Sequence, residues 1–413
     1  MAKRISAILQ KLSYKQEVGE KMIKGWIKSW FADRYDVDQI EEVIKGQVEK
    51  PLPENISWFH TLGSMSLFLF VSQVFTGILL LVYYRPTVHD AFESVKFIMT
   101  TTYMGWLFRQ VHAWGANLMI IVLFLHMLRT YITGSYKKPR ELTWVIGAAL
   151  FFLTLVFGFT GYLLPWNQLA YWATTVGTEI AGAIPWMGNF IKTLLRGGGA
   201  VGGETISRFF VVHVIILPWV LFFLIVAHLF LVRYQGIATM DPVSPGKEPK
   251  LKEGVPFFPD HVLKEGIVFF ILLGVLITLA ILKPFDLGEK ADPLQTPFAI
   301  KPEWYFLPMY QMIKYFPKLV GIFITSLGPL ILVILPFLDR GKERNPFKRP
   351  ISMMLGIAGL LLLVGLGMLG AVAETKKNFF GKTYEFDIYG IPRLIKANAG
   401  SSESLQPPQT PPK

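Results

Sequence analysis

"RQVHAWGANLMIIVLFLHMLR", residues 109–129, is apolar enough for hydrocarbon, yet it carries His112 and His126 with Arg109 and Arg129 at its ends. A helix rises about 1.5 Å and turns about 100° per residue. The fourteen residues between the histidines therefore span about 21 Å with a net turn of about −40°. Both imidazoles face roughly one way, one near each side of a bilayer. A second stretch, "HVIILPWVLFFLIVAH" (213–228), repeats the design with His213 and His228 fifteen apart, or about 22 Å and +60°. Ionisable side chains inside a membrane are costly and usually functional.

The rest of the chain supports a membrane reading. Of 413 residues, 52% are hydrophobic and 17% charged, and there is no cysteine. Disulfides, thiolate-held clusters and cysteine nucleophiles are thereby excluded. A net charge of +12 suits nucleic acid or a membrane surface, and hydropathy decides for the membrane. Seven uncharged runs, A to G, cover Ser64–Tyr84, Gln110–Leu128, Leu142–Leu164, Phe209–Val232, Gly266–Leu282, Leu319–Leu338 and Ile351–Ala373. Each can cross a bilayer core as a helix, which predicts an all-α membrane protein. Run A starts too late for a secretory signal peptide. Lys and Arg mark the cytoplasmic side. The N-terminal segment and the B–C, D–E and F–G loops hold 24 of them against 11 in the other three loops, so the N-terminus is expected inside. The N-terminal segment carries most of that bias.

Four parts are expected. Residues 1–59 form a basic inner segment whose stretch "EKMIKGWIKSWFADRY" suits an amphipathic surface helix. Residues 60–240 form a four-helix bundle and 241–375 a three-helix part, joined by the linker-like "YQGIATMDPVSPGKEPKLKEGVPFFPD". Residues 376–413 are a tail, partly disordered by composition. The long outer C–D and E–F loops are the kind that build a site.

Runs B and D both pass from outside to inside. His112 then faces His213 in the outer half, and His126 faces His228 in the inner half. Two stacked histidine pairs suit bis-imidazole ligation of heme iron, whereas zinc takes three or four protein ligands. Gly63 and Gly77 in run A, and Gly147 and Gly161 in run C, repeat the fourteen-residue spacing. They leave room either for a porphyrin or for close helix packing. Arg109 and Arg129 either pair with heme propionates or snorkel to the interface.

The stretches "VHAWGANLMIIVLFLHMLRTYITGSYKKPRELTW", "FGFTGYLLPWNQLAYWATTV" and "KPEWYFLPMYQMIKYFP" resemble the cytochrome b of quinol:cytochrome c oxidoreductases. The resemblance covers about residues 25–375 and is closest to the b6f-type branch, which shares the fifteen-residue spacing. There the four-helix and three-helix parts are separate polypeptides; here they look fused. The resemblance implies a diheme subunit with two non-covalent b-type hemes, the outer on His112 and His213 and the inner on His126 and His228. It implies quinol oxidation at an outer site, electron transfer across the membrane to an inner quinone, and coupled proton translocation.

In "PEWY" (Pro302, Glu303, Trp304, Tyr305), Pro302 is expected to start a short helix with Glu303 in its first turn. Glu303 then either complements the helix dipole or accepts a proton. The resemblance favours quinol deprotonation, with Tyr162, Gly161, Ala173, Trp304 and Tyr305 around the pocket. Relatives of the b6f type attach a further heme through a cysteine at the position of Thr61, so no covalent heme is expected. His60 either serves the inner quinone or faces lipid headgroups. Arg233 and Asp241 are further inner-site candidates, and His89 and His261 are expected to be solvated. The implied partners are a Rieske iron–sulfur protein and a c-type cytochrome, in a homodimeric complex of a prokaryotic inner membrane, with no nucleic acid. The alternatives are a diheme membrane anchor of a quinone-linked dehydrogenase or reductase, and a proton-relay transporter.

Overall fold

A computed structural model describes residues 22, 25–27, 29–49, 51–52, 57–238, 255–298 and 300–395. Among the described residues, seven helical spans are long and apolar enough to cross a membrane: Trp58–Leu81, Gly105–Ile132, Glu141–Leu163, Gly203–Gln235, Phe257–Leu282, Lys318–Leu338 and Pro350–Val372. Each contains the greater part of one expected run, and several extend it by a turn or more. The helices in chain order are α1 (Val37–Val48), α2 (Leu62–Leu81), α3 (Ala91–Thr100), α4 (Gly105–Ile132), α5 (Glu141–Leu163), α6 (Gln168–Gly182), α7 (Gly188–Arg196), α8 (Gly203–Val211), α9 (Leu217–Gln235), α10 (Val262–Leu282), α11 (Leu307–Lys314), α12 (Lys318–Leu338) and α13 (Pro350–Val372). The helices on the spans are apolar all round. Val71, Phe75, Phe223, Phe230 and Leu361 are exposed, as suits surfaces covered by lipid.

The described chain forms two compact units, one of residues 1–57 and 249–267 and the other of 58–248 and 268–413. In the smaller, Asp36 caps α1 by accepting from the Gln39 amide at 3.0 Å. Ile40, Val43 and Ile44 form an exposed apolar face on α1; in the preceding stretch expected to be amphipathic, residues 25–27 and 29–32 are helical, with Trp26, Ile27, Trp30 and Phe31 exposed. Strand β1 (Pro51–Leu52) pairs antiparallel with β2 (Val255–Pro256).

In the larger unit, Leu62 and Leu69 of α2, Met119 and Val122 of α4, Leu150 of α5 and Leu221 of α9 share one buried core with Leu272 and Leu276 of α10. On the B–C loop side, Tyr136 and Trp144 pack with Leu332, Val333 and Leu335 of α12. The three-helix part is thus seated directly on the four-helix part. Between packed membrane helices, van der Waals fit and hydrogen bonds carry the association.

A polar clamp joins the two parts beside that contact. Asp339, at the end of α12, accepts from Tyr136 Oη at 2.5 Å and Lys137 Nζ at 2.8 Å, and Arg349 Nη1 lies 3.5 Å away. Arg349 Nη2 donates to the Tyr131 and Ile132 carbonyls at 3.1 and 2.7 Å, capping the end of α4. Gly134 turns with φ +60, and a Cβ there would meet Arg344 Cα at 3.1 Å, so the two loops close only over glycine. Burial alone would raise the Asp339 pKa, but the hydrogen bonds from Lys137 and Tyr136 hold it below its usual 3.8.

The first part of the tail is folded. Residues 376–394 form an antiparallel meander, β3 (Lys376–Phe379), β4 (Lys382–Phe386) and β5 (Pro392–Leu394), with Gly381 at φ +75 in the first turn. Tyr315 Oη of α11 donates to the Tyr389 carbonyl at 2.8 Å and ties the meander to the helices. Residues 396–413 lie outside the described set.

Lys137 is only 3% exposed. Asp339→Leu would leave it buried without its counter-charge and should cost about 3 kcal/mol, read as a lower melting temperature of the detergent-solubilised protein. Lys137→Met should cost less, because Asp339 keeps Tyr136 and Arg349. The depressed Asp339 pKa makes the clamp's contribution complete above the unfolded value and lost as pH falls through the folded one. Asp339→Asn should therefore remove part of the acid sensitivity of melting.

Candidate functional site

His112 and His213 meet as expected, with ring centroids 6.4 Å apart and planes at 72°. Their tautomers follow from the threonines beside them. Thr76 Oγ1 donates its single proton to the Ser72 carbonyl at 2.7 Å, so it accepts from His112 Nδ1 at 2.9 Å. Thr160 Oγ1 donates to the Val156 carbonyl at 3.0 Å and accepts from His213 Nδ1 at 3.1 Å. With Nδ1 protonated on both rings, each Nε2 keeps its lone pair for a metal. A metal–imidazole bond is about 2.0 Å, so two rings ligating one ion from opposite sides keep centroids about 6 Å apart. The outer pair fits that spacing. Among the described residues no group of three or more His, Cys, Asp or Glu could hold a metal. A two-histidine site therefore suits an ion whose other ligands come from a macrocycle.

The four glycines lie against the four histidines. A Cβ at Gly77 would meet His112 Cε1 at 3.4 Å, at Gly161 His213 Cε1 at 2.5 Å, at Gly63 His126 Cε1 at 3.3 Å and at Gly147 His228 Cε1 at 3.3 Å. Each glycine thus admits the edge of an imidazole, a closer role than the room for a porphyrin that the spacing suggested. The two layers differ in one respect. The residue before each outer glycine is a threonine, whereas Leu62 and Ile146 precede the inner ones. Nδ1 of His126 and of His228 is buried with no hydrogen-bond partner.

The unequal spacings of the two histidine pairs have a structural cause. Residues Val212–Ile216, which include His213, form a π-helical turn between α8 and α9. Pro218 follows, with no N–H for the ladder. A π-bulge absorbs one extra residue without the usual 100° advance. Fifteen residues through the bulge then turn about −40°, as fourteen do in α4.

The "PEWY" stretch departs from expectation. Pro302 and Glu303 are not helical; a turn covers 304–306 and α11 starts at Leu307 with Pro308 in its first turn. Glu303 therefore does not occupy a first helical turn and does not complement that dipole. Its amide carbonyl accepts from the Phe306 amide at 2.9 Å. Burial raises its carboxyl pKa above 4.5. Burial also raises the Tyr305 hydroxyl, and Glu303 and Tyr162 beside it raise it further. Tyr305 Oη sits over Gly158 of α5, where a Cβ would approach to 2.5 Å. Gly158 and Gly161 are one turn apart, so α5 receives Tyr305 and His213 on neighbouring turns. Gly158 was missed from sequence; the "GFTG" pattern (158–161) carried the signal.

Arg109 donates through Nη1 to the Phe285 carbonyl and through Nη2 to the Asp286 carbonyl at 3.4 Å, so it also holds the loop after α10. Arg129 is half-buried in the last turn of α4, and Ala173 is half-buried in α6. His60 lies in the 3-10 turn Trp58–Thr61 ahead of α2. Thr61 is buried there, its Oγ1 donating to the Trp58 carbonyl at 2.7 Å. Arg233 is half-buried in the last turn of α9, and Asp241 lies outside the described residues. His89 is exposed as expected. His261 is not: it is 6% exposed and its Nε2 lies 3.2 Å from Glu265, because it opens α10 one turn before that carboxylate.

The family model "Cytochrome b/b6/petB" matches residues 47–236, and "Cytochrome b(C-terminal)/b6/petD" matches 290–386. The cytochrome bc complex cytochrome b subunit of Chlorobaculum thiosulfatiphilum is 43% identical over 344 residues, 82% of this chain and 79% of that one. Cytochrome b of Venturia inaequalis is 37% identical over 332 residues, 78% of this chain and 82% of that one. A solved hyperthermophilic respiratory Complex III chain matches with a TM-score of 0.76 and 33% identity, over 84% of this chain and 92% of that one. The chain belongs to the cytochrome b/b6 family, with its N-terminal and C-terminal parts in one polypeptide. It is the cytochrome b subunit of a bc-type complex, an integral membrane protein of a family that carries b-type heme.

Two changes check the histidine layers. If each histidine pair holds one b-type heme, Gly161→Val should remove the one on His112 and His213 and Gly63→Val the one on His126 and His228, each lowering heme per chain by about one in a pyridine hemochrome assay. Deleting Ile215 should regularise the π-turn and leave both hemes bound. Inserting one alanine after Leu118 in α4 should misalign His126 and lose one.

Proposed function

We propose that the chain binds quinol in an outer pocket beside Glu303, oxidises it there, and returns electrons to quinone at an inner site, with proton release outside and uptake inside. The observation that carries this reading is the half-buried Glu303 carboxylate grouped with Tyr305 and Tyr162, beside α5, which also receives His213. Quinol oxidation releases two protons and two electrons, so the site needs a base beside an electron acceptor. A carboxylate with a raised pKa is a stronger base than an exposed glutamate and suits that task. Tyr305 and Tyr162 line the pocket with hydroxyl groups, and Trp304 closes it.

His112 with His213, and His126 with His228, would hold two non-covalent b-type hemes. Bound there, heme supplies two one-electron carriers in series across the membrane. The histidines hold the iron, the threonines fix the outer tautomers, and the glycines admit the rings. Thr61 offers no thioether link, which supports heme held without a covalent bond. His60 and Arg233 lie near the inner ends of α2 and α9, where they would meet an inner quinone; Asp241 belongs to the same proposal.

A Rieske iron–sulfur protein and a c-type cytochrome are the proposed outer electron acceptors, in a homodimeric complex of a prokaryotic inner membrane with the N-terminus in the cytoplasm. A diheme anchor of a quinone-linked dehydrogenase would need neither "PEWY" nor a second quinone pocket, and inhibitors of outer-site quinol oxidation would leave it unaffected.

Glu303→Gln should lower quinol oxidation by about 10²-fold or more, the usual weight of a positioned base. The base acts deprotonated and its pKa is raised, so the parent rate should climb with pH at values above those of an ordinary glutamate, and the variant should lose that limb. Steady-state quinol oxidation across pH checks both. Acid–acetone extraction should remove all heme from the polypeptide; heme left on the chain would contradict the non-covalent assignment.

A further inference from the structure

Gln110, Trp114 and Asn117 are four and three residues apart, so they line one face of α4. At about 100° per residue, His112 and His126 lie about 180° round the helix from that face. All three polar residues of this second face hold the segment between α10 and α11. Gln110, 1% exposed, pairs with Phe285 in both directions: Nε2 donates to its carbonyl at 2.9 Å and Oε1 accepts from its amide at 2.7 Å. Trp114 Nε1 donates to the Lys283 carbonyl at 2.8 Å. At the other end of the segment, Trp304 Nε1 donates to Asn117 Oδ1 at 2.7 Å. The Asn117 amide is itself oriented, since its Nδ2 donates to the Ala113 carbonyl at 2.9 Å. Its oxygen is thereby turned toward the indole. One helix thus presents the expected heme ligands on one face and grips both ends of the "PEWY" loop with the other.

We propose that Asn117 is a positioning residue for quinol oxidation. By holding the Trp304 indole it fixes the backbone of 302–305, and with it the direction in which Glu303 presents its carboxylate. Tyr305, edge-on to Trp304 with centroids 5.4 Å apart and seated on Gly158, completes the brace from α5. The proposal rests on the reading of the outer pocket as the quinol oxidation site. Asn117 touches neither quinol nor heme; it acts through Trp304.

The test compares the purified complex carrying the parent chain, Asn117→Ala, Asn117→Asp, Trp304→Phe and Asn117→Ala/Trp304→Phe. Steady-state quinol oxidation gives kcat and KM, and heme spectra with midpoint potentials report the opposite face of α4. Asn117→Ala should lower kcat about fivefold, the effect of one neutral hydrogen bond, with KM within about twofold and both hemes unchanged. Asn117→Asp keeps an acceptor oxygen in place and should return kcat to within about twofold of the parent. The double variant should be no slower than the slower single variant, because both substitutions break one interaction. The proposal is overturned if Asn117→Ala turns over like the parent, if the loss is confined to KM, if the heme potentials shift with it, or if the two single effects multiply. A parent complex that does not oxidise quinol would overturn the functional reading beneath it, which separates the two failures.

Discussion

An imidazole in hydrocarbon must satisfy both of its ring nitrogens, because an unpaired buried polar atom costs about 2–7 kcal/mol when nothing replaces water. Four histidines at two depths impose that condition four times, and much of the larger unit meets it. Thr76 and Thr160 take the Nδ1 protons of the outer pair and leave both Nε2 lone pairs available to a metal. Gly63, Gly77, Gly147 and Gly161 let α2 and α5 approach the rings closely enough to enclose them. The π-turn at Val212–Ile216 returns the D-helix pair to the register of α4 despite its extra residue. The inner pair lacks the threonines, and its orphaned Nδ1 atoms make the two layers chemically unequal.

The outer pocket is built on the same helices. Gly158 and Gly161 put Tyr305 and His213 on adjacent turns of α5, and α4 carries His112 on one face while bonding Trp304 from the other. The positions of Trp304 and Tyr305 relative to His112 and His213 are therefore set by α4 and α5. At the opposite end, the Tyr136–Lys137–Asp339–Arg349 clamp fixes α12 and α13 to the turn after α4. The three-helix part is held at both ends of its span, which matters in a chain whose b6f-type relatives supply the two parts as separate polypeptides.

Much of this was legible in sequence for identifiable reasons. Apolar runs of about twenty residues have one common outcome, so the seven spans fell close to expectation. The histidine and glycine spacings are helical arithmetic: His112 meets His213, and each of the four glycines lies against one of the four histidines. What was missed depends on tertiary contact. The threonine before an outer glycine looks like filler until its hydroxyl is seen against Nδ1. Gly158 has no periodic partner, because it answers to a loop residue about 150 positions away. Pro302 is a plausible helix start by local preference, but a turn occupies 304–306 and the helix begins at Leu307, with Pro308 in its first turn. The polar composition of the tail hid the turn at Gly381, and His261 is buried because it opens α10 where Glu265 can meet it. The family resemblance supplied the pocket's chemistry, which composition and spacing alone left open between a dipole partner and a base.

The most direct test of the account is the reduced-minus-oxidised visible spectrum of the purified protein, with His126→Ala beside the parent. The parent should show b-type α-bands from two hemes. In the variant the inner contribution should be lost, with the outer heme on His112 and His213 retained. A parent without a heme b α-band, or a variant whose spectrum and heme content match the parent, would contradict it.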